Sequence, residues 1–166
     1  MILRPATRAD VPVLVSLIHD LAAYEREPDA VEVDEVTLAD VLFADSPVAF
    51  ATVAEESGEV LGMTIHFLNF STWTGRVGIY LEDCFVRPEH RGRGVGRALL
   101  AGLAQLAVAR GYARVDWSVL DWNEPALGFY HSIGARPMTG WTAYRLDGDA
   151  LAALGRDNDQ ATRPES

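Results

Sequence analysis

The chain has 166 residues, 49% of them hydrophobic and 23% charged, a size and composition that suit one globular domain with a single core. Its formal net charge of −10 argues against non-specific binding to nucleic acid or to an anionic membrane surface. A single cysteine, Cys84, rules out an internal disulfide framework and any multi-cysteine zinc site. Met1-Ile2-Leu3-Arg4-Pro5 does not read as a signal peptide, and Ala98–Ala109, the most apolar stretch, is too short to cross a bilayer. Together these features predict a cytoplasmic protein with no membrane partner.

In chain order, Ile2–Arg4 reads as a short strand. Thr7 with Asp10 three residues on suggests an approximate capping box. Val11, Leu14, Leu17, Ile18 and Leu21 then follow helical spacing to about Tyr24, and Pro28 stops the helix. A second helix is expected from Asp34. Val48–Glu55 and Val60–Leu68 form a predicted hairpin about Ser57-Gly58, and Arg76–Val86 is the next strand. A helix is expected from about Gly94 to Arg110, ended by Gly111, then a strand over Ala113–Leu120. Pro125 suits the first turn of a helix reaching Ile133. Trp141–Leu146 reads as a last strand and Asp149–Leu154 as a terminal helical turn. The expected architecture is α/β: a mixed, mostly antiparallel sheet of six or seven strands with helices on both faces, forming one domain over residues 1–154, with a flexible polar tail over 155–166.

Charge is unevenly placed. Residues 1–60 hold three bases against thirteen acids and carry the whole excess, while residues 61–166 balance. Between Glu25 and Asp45 eight acids face only Arg26. A solvated acidic surface accounts for such a run, and so does a field that draws cationic substrates; both can hold.

The sharpest local signal is Arg87-Pro88-Glu89-His90-Arg91-Gly92-Arg93-Gly94-Val95-Gly96-Arg97. It lies between a predicted strand and a predicted helix. Glycines there let backbone N–H groups converge, and the helix N-terminus adds positive potential. With four arginines, the segment reads as an anion site of pyrophosphate type. It is not a P-loop, because no Lys-Ser/Thr follows the glycines, and the glycine spacing departs from the dinucleotide fingerprint.

Arg91-Gly92-Arg93-Gly94-Val95-Gly96 resembles the acyl-CoA loop of the GNAT acetyltransferases. Leu21-Ala22-Ala23-Tyr24-Glu25, Tyr80-Leu81-Glu82-Asp83, Trp122-Asn123-Glu124-Pro125, Phe129-Tyr130 and Gly140-Trp141 resemble the spermidine/spermine (diamine) acetyltransferase group, in order and at similar spacing. Ser71-Thr72-Trp73-Thr74-Gly75-Arg76 and Val119-Leu120-Asp121-Trp122-Asn123 are similar to its thialysine branch. The resemblance implies acetyl transfer from acetyl-CoA to a primary amine of a small cationic substrate, directly in a ternary complex. It implies Glu82 as base and Tyr130 as acid. It places acetyl-CoA against Cys84, Phe85, Val86, Arg91, Gly92, Arg93, Gly94, Val95, Gly96, Arg97, Asn123 and Pro125. It places the amine against Tyr24, Glu25, Glu82, Asp83 and Trp141, and it implies a homodimer.

The chemistry agrees. An alkylammonium near pKa 10.4 must lose a proton before it attacks, which a nearby carboxylate can accept. On a regular strand Glu82 and Asp83 would point to opposite faces unless a bulge intervenes. Cys84, with no adjacent histidine, reads as a packing residue rather than a nucleophile. The four histidines show no metal-ligand spacing, so no metal is expected. The tryptophans read as core, Trp141 excepted. His131-Ser132-Ile133 replaces the basic cluster of the polyamine enzymes, and Thr139 replaces an acidic residue, which points to a short amine. Acetylation of a peptide N-terminus or an antibiotic amine, or a non-catalytic acyl-CoA sensor, are the alternatives.

Overall fold

A computed structural model describes residues 1–161 and divides the chain into two compact units, Met1–Asn123 and a second that begins at Glu124. In the first unit five strands run in the order β1 (Ile2–Pro5), β2 (Phe50–Glu56), β3 (Glu59–Ser71), β4 (Arg76–Val86) and β5 (Val115–Trp117). The first three pairings are antiparallel, and β4–β5 is parallel. The parallel pair needs a crossover, which α3 (Val95–Arg110) supplies. The α/β mixed sheet expected from sequence is therefore present.

One face of the sheet is covered by α1 (Val11–Tyr24) and α2 (Glu35–Phe43). Leu14, Leu17, Val53, Met63, Ile65 and Phe85 form the core there. The other face packs on α3, with Ala54, Leu61, Val95 and Leu99 buried together. Both clusters follow from period-two alternation in the strands and 3.6-residue spacing in the helices. Each fully buried leucine contributes about 1.5–3 kcal/mol relative to exposure.

The helix starts are set by local polar groups. The Asp10 carboxylate accepts from the Thr7 backbone N–H at 2.7 Å and takes two N–H groups of Arg4 at 2.7 and 2.8 Å. That bidentate pair holds the Asp10 carboxyl far below the usual range. At α2 the Asp34 side chain accepts from the Thr37 N–H at 2.8 Å, which caps the helix where expected. Gly62 is fixed by close approach: a Cβ there would lie 2.5 Å from the Phe85 carbonyl oxygen, so any larger residue would push β3 off β4.

The second unit contains α4 (Glu124–Ser132) and α5 (Gly148–Ala161). Three expectations are corrected. Among the described residues the sheet has five strands, because Trp141–Leu146 is irregular, with Trp141 72% and Tyr144 95% exposed. The aromatics of that segment alternate onto both parities, so it has no single face to bury. The strand expected over Ala113–Leu120 shortens to Val115–Trp117. The helical turn expected over Asp149–Leu154 is part of α5, which continues to Ala161, so the expected tail from Gly155 is helical that far; the rest of that expectation, 162–166, lies outside the described residues.

Candidate active site

The site begins with an irregularity in β4. Ile65 of β3 faces Asp83, but His66 faces Leu81, so Glu82 is left over as a β-bulge. A bulge bends its strand and re-aims side chains. The bulge that would decide the direction of Glu82 and Asp83 is therefore present. It falls where the parallel ladder with β5 ends, at Leu81 opposite Trp117. Beyond that point β4 and β5 no longer pair, so Cys84, Phe85 and Val86 have no ladder partner on the β5 side.

Three carboxylates converge at the bulge. Burial, and then the negative charges of Glu82 and Glu25, push the Asp83 carboxyl up to about 6. Burial also raises Glu25, which follows the last residue of α1. Glu82 itself is exposed. The Cys84 thiol is pushed up to about 12, mainly by burial and further by the Asp83 charge. It stays protonated at neutral pH and makes a poor nucleophile.

Aromatic and polar side chains gather beside that end of β4. The Tyr24 hydroxyl donates to Asn123 Oδ1 at 2.9 Å, joining the end of α1 to the loop after β5. Trp122 lies 6.1 Å from the Tyr24 ring, centroid to centroid. The Arg91 guanidinium stacks over Tyr24 at 4.8 Å and Phe85 at 5.3 Å, and its Nε–H donates to the Val86 carbonyl at 2.9 Å.

The glycine loop leads into α3. Gly92 and Gly94 take left-handed conformations, φ 73° and 82°, and Gly94 is the N-cap. The first helical hydrogen bond runs from the Ala98 N–H to the Gly94 carbonyl. The N–H groups of Val95, Gly96 and Arg97 thus have no intrahelical acceptor, the arrangement that receives phosphate oxygens. The Val95 side chain is in the core, so only its backbone serves the loop. Arg97 is exposed on the first turn of α3. Arg93 is directed elsewhere: it pairs with Glu56 of β2 at 2.5 Å and reaches His90 Nδ1 at 3.1 Å. Gly94→Val should lower acetyl-CoA affinity at least tenfold, because a β-branched residue resists φ 82°. Calorimetric titration of the folded variant checks this; unchanged affinity counts against the loop as the cosubstrate site.

Pro125, Tyr130 and Trp141 belong to the second unit. Pro125 lies in the first turn of α4, the Tyr130 ring packs on Phe129 at 5.5 Å, and Trp141 lies in the irregular segment. Reading the other tryptophans as core needs correction. Trp73 is 86% and Trp122 40% exposed, and Trp122 stacks under Arg26 at 4.2 Å. Arg26 was visible in the sequence only as a lone base in an acidic run. Among the described residues no group of three or more metal-ligating side chains is found, and no helix is long and apolar enough to cross a membrane.

A mixed sheet whose parallel pairing stops beside a glycine loop on a helix N-terminus defines an α/β protein with an anion site. The chain belongs to the acetyltransferase (GNAT) family, whose model matches residues 14–135, and it is an acetyltransferase. It is 35% identical to a thialysine N-epsilon-acetyltransferase of Sus scrofa, over 93% of this chain and 96% of that protein. It is 31% identical to an L-ornithine N5-acetyltransferase of Arabidopsis thaliana, over 94% and 88% of the two chains. The fold matches an integron cassette protein from the mobile metagenome of V. cholerae with a TM-score of 0.78, at 28% identity over 93% of this chain and 97% of that one.

Proposed function

We propose that this protein transfers an acetyl group from acetyl-CoA to a primary amine of a small cationic substrate, a thialysine-like amino acid, a diamine or a short polyamine, in a ternary complex. The observation that carries this reading is the convergence of Glu25, Glu82 and Asp83 at the β4 bulge, next to the glycine loop. The negative charges of Glu82 and Glu25 that, after burial, raise the proton affinity of Asp83 will equally favour a substrate ammonium. Glu82, the exposed member, holds the amine and accepts its proton. Tyr130 returns a proton to the departing thiolate. The free N–H groups at Val95, Gly96 and Arg97, with Gly92 and Gly94, take the pyrophosphate. Cys84, Phe85 and Val86 offer backbone groups to the pantetheine amides, with Asn123 beside them, and Pro125 is assigned to the cosubstrate as well. Arg91 serves the anionic end; Arg93 serves it by anchoring the loop to Glu56. Tyr24 serves the amine, and Trp141 is assigned the same role.

The names of the similar proteins, which act on thialysine and ornithine, support the amine class. The family match runs over residues 14–135, from the first compact unit into the start of the second, and supports reading 1–154 as one catalytic domain. We place the protein in the cytoplasm as a homodimer, with no nucleic acid or membrane partner.

The test is a turnover assay with acetyl-CoA against thialysine, ornithine, short diamines, spermidine and spermine, with a peptide N-terminus and an aminoglycoside as controls. Turnover confined to the short amines supports the reading; preference for a control overturns it. Raising salt should increase KM for the amine and leave kcat nearly unchanged, because screening weakens the acidic field more than the contacts at the bulge. A salt-independent KM would remove the steering role of the acidic first third.

A further inference from the structure

We infer that Arg26 is a receptor for a substrate carboxylate, so that the amine this protein acetylates best is borne by an amino acid. The inference rests on the amine-acetyltransferase reading and narrows its substrate class.

Arg26 ends α1 in a left-handed turn at φ 70°. The Glu27 N–H returns to the Ala22 carbonyl at 2.9 Å and the Arg26 N–H to the Ala23 carbonyl at 3.2 Å. That pair of bonds is a Schellman motif, and its left-handed position is ordinarily glycine's. An arginine there is disfavoured by backbone sterics, so the turn itself gives no reason for its presence.

Its side chain is placed with equal specificity. The guanidinium carbon lies 4.2 Å above the Trp122 ring. Glu25, Glu27 and Asp29 flank it in sequence, yet among the described residues Arg26 makes no ion pair and no side-chain hydrogen bond. Stacking occupies the flat face of a guanidinium and leaves its in-plane N–H donors directed outward. Those donors match a carboxylate in bidentate geometry.

The surroundings say which carboxylate. Arg26 directly follows Glu25, whose charge is felt at Asp83. Trp122 directly precedes Asn123, which holds the Tyr24 hydroxyl at 2.9 Å. The site thus has an anionic end at the bulge, an aromatic wall of Tyr24 and Trp122, and a cationic end at Arg26. An α,ω-diamino acid has the complementary order. Its terminal ammonium reaches the carboxylates, its methylene chain lies along the aromatic wall, and its α-carboxylate meets Arg26. A diamine has nothing to offer the guanidinium, and it would bring a second ammonium toward it.

The experiment compares ornithine with putrescine and thialysine with its decarboxylated counterpart, two pairs that differ only by the carboxylate. Arg26→Gly suits the left-handed turn, so its thermal midpoint should equal or exceed that of the parent chain. In this variant KM for ornithine and thialysine should rise about tenfold or more, with kcat unchanged, while KM for the two diamines stays level or falls. Arg26→Lys should restore most of the amino-acid preference. Equal KM changes for acids and diamines, or none, would overturn the inference and leave the acetyltransferase reading standing. Absence of acetylation of either class by the parent chain would overturn that reading and this inference with it.

Discussion

Asp83→Asn should make the protein more stable at neutral pH and poorer at capturing its amine. The Asp83 carboxyl is raised from 3.8 to about 6, first by burial and then by the charges of Glu82 and Glu25. A carboxyl whose folded pKa is raised stabilises the fold fully below its unfolded value and loses that contribution as pH rises through about 6. Above that range the ionised side chain opposes folding, with a ceiling of about 3 kcal/mol for a shift of two pKa units, reduced by solvent screening. Asparagine keeps the shape and removes the charge. The thermal midpoint of Asp83→Asn should therefore exceed the parent's at pH 7.5, and the gap should close by about pH 4. KM for the amine should rise about tenfold in the same variant, because one of the three carboxylates proposed to hold the ammonium is gone. Thermal melts across pH and steady-state kinetics check the two halves. A lower midpoint at pH 7.5 would mean that Asp83 is a structural anchor rather than a strained binding group.

Those three carboxylates show what a sequence can and cannot carry. Glu82 and Asp83 are picked out by their neighbours along the chain, and Arg76–Val86 is legible as a strand because Pro88 ends it. The consequence of their adjacency depends on β3, where the register changes between Ile65 and His66 and leaves Glu82 unpaired. No local pattern encodes that shift, since it belongs to two strands at once. The glycine loop was fully visible, because left-handed turns and a helix start are local demands on residue type. The Arg93–Glu56 and Tyr24–Asn123 contacts were not, because they join residues 37 and 99 positions apart. Arg26 was hidden for the opposite reason. The helix stop at Tyr24-Glu25 was expected from Pro28, but a Schellman turn without glycine gives no signal in sequence. Trp73 and Trp122 were misplaced because apolar character alone assigns indoles to a core, while loops can hold them at the surface, as Trp122 is held beneath Arg26.

Removing either proposed proton-transfer group should produce the largest loss of turnover. Tyr130→Phe deletes one hydroxyl and keeps the ring that packs on Phe129 at 5.5 Å, so folding and acetyl-CoA affinity should be preserved. Without its phenol the departing thiolate must take a proton from water, and kcat should fall by ~10²–10⁴. Glu82→Gln should lower kcat within the same range, with a different pH signature. An alkylammonium near pKa 10.4 is almost wholly protonated at neutral pH, and the variant must wait for the small neutral fraction. Its log kcat should therefore climb steeply with pH, so that the deficit is greatest in acid and narrows toward the amine's own pKa. Tyr130→Phe should show no such narrowing, because its missing proton is donated rather than accepted. The double variant should be little worse than the weaker single one, since both act on one transfer step. Stopped acetyl-CoA turnover measured from pH 6 to 10 on the three variants separates the roles. Parallel pH profiles for the two single variants would mean that Glu82 binds the ammonium without taking its proton, and full activity of Tyr130→Phe would move the acid to another donor.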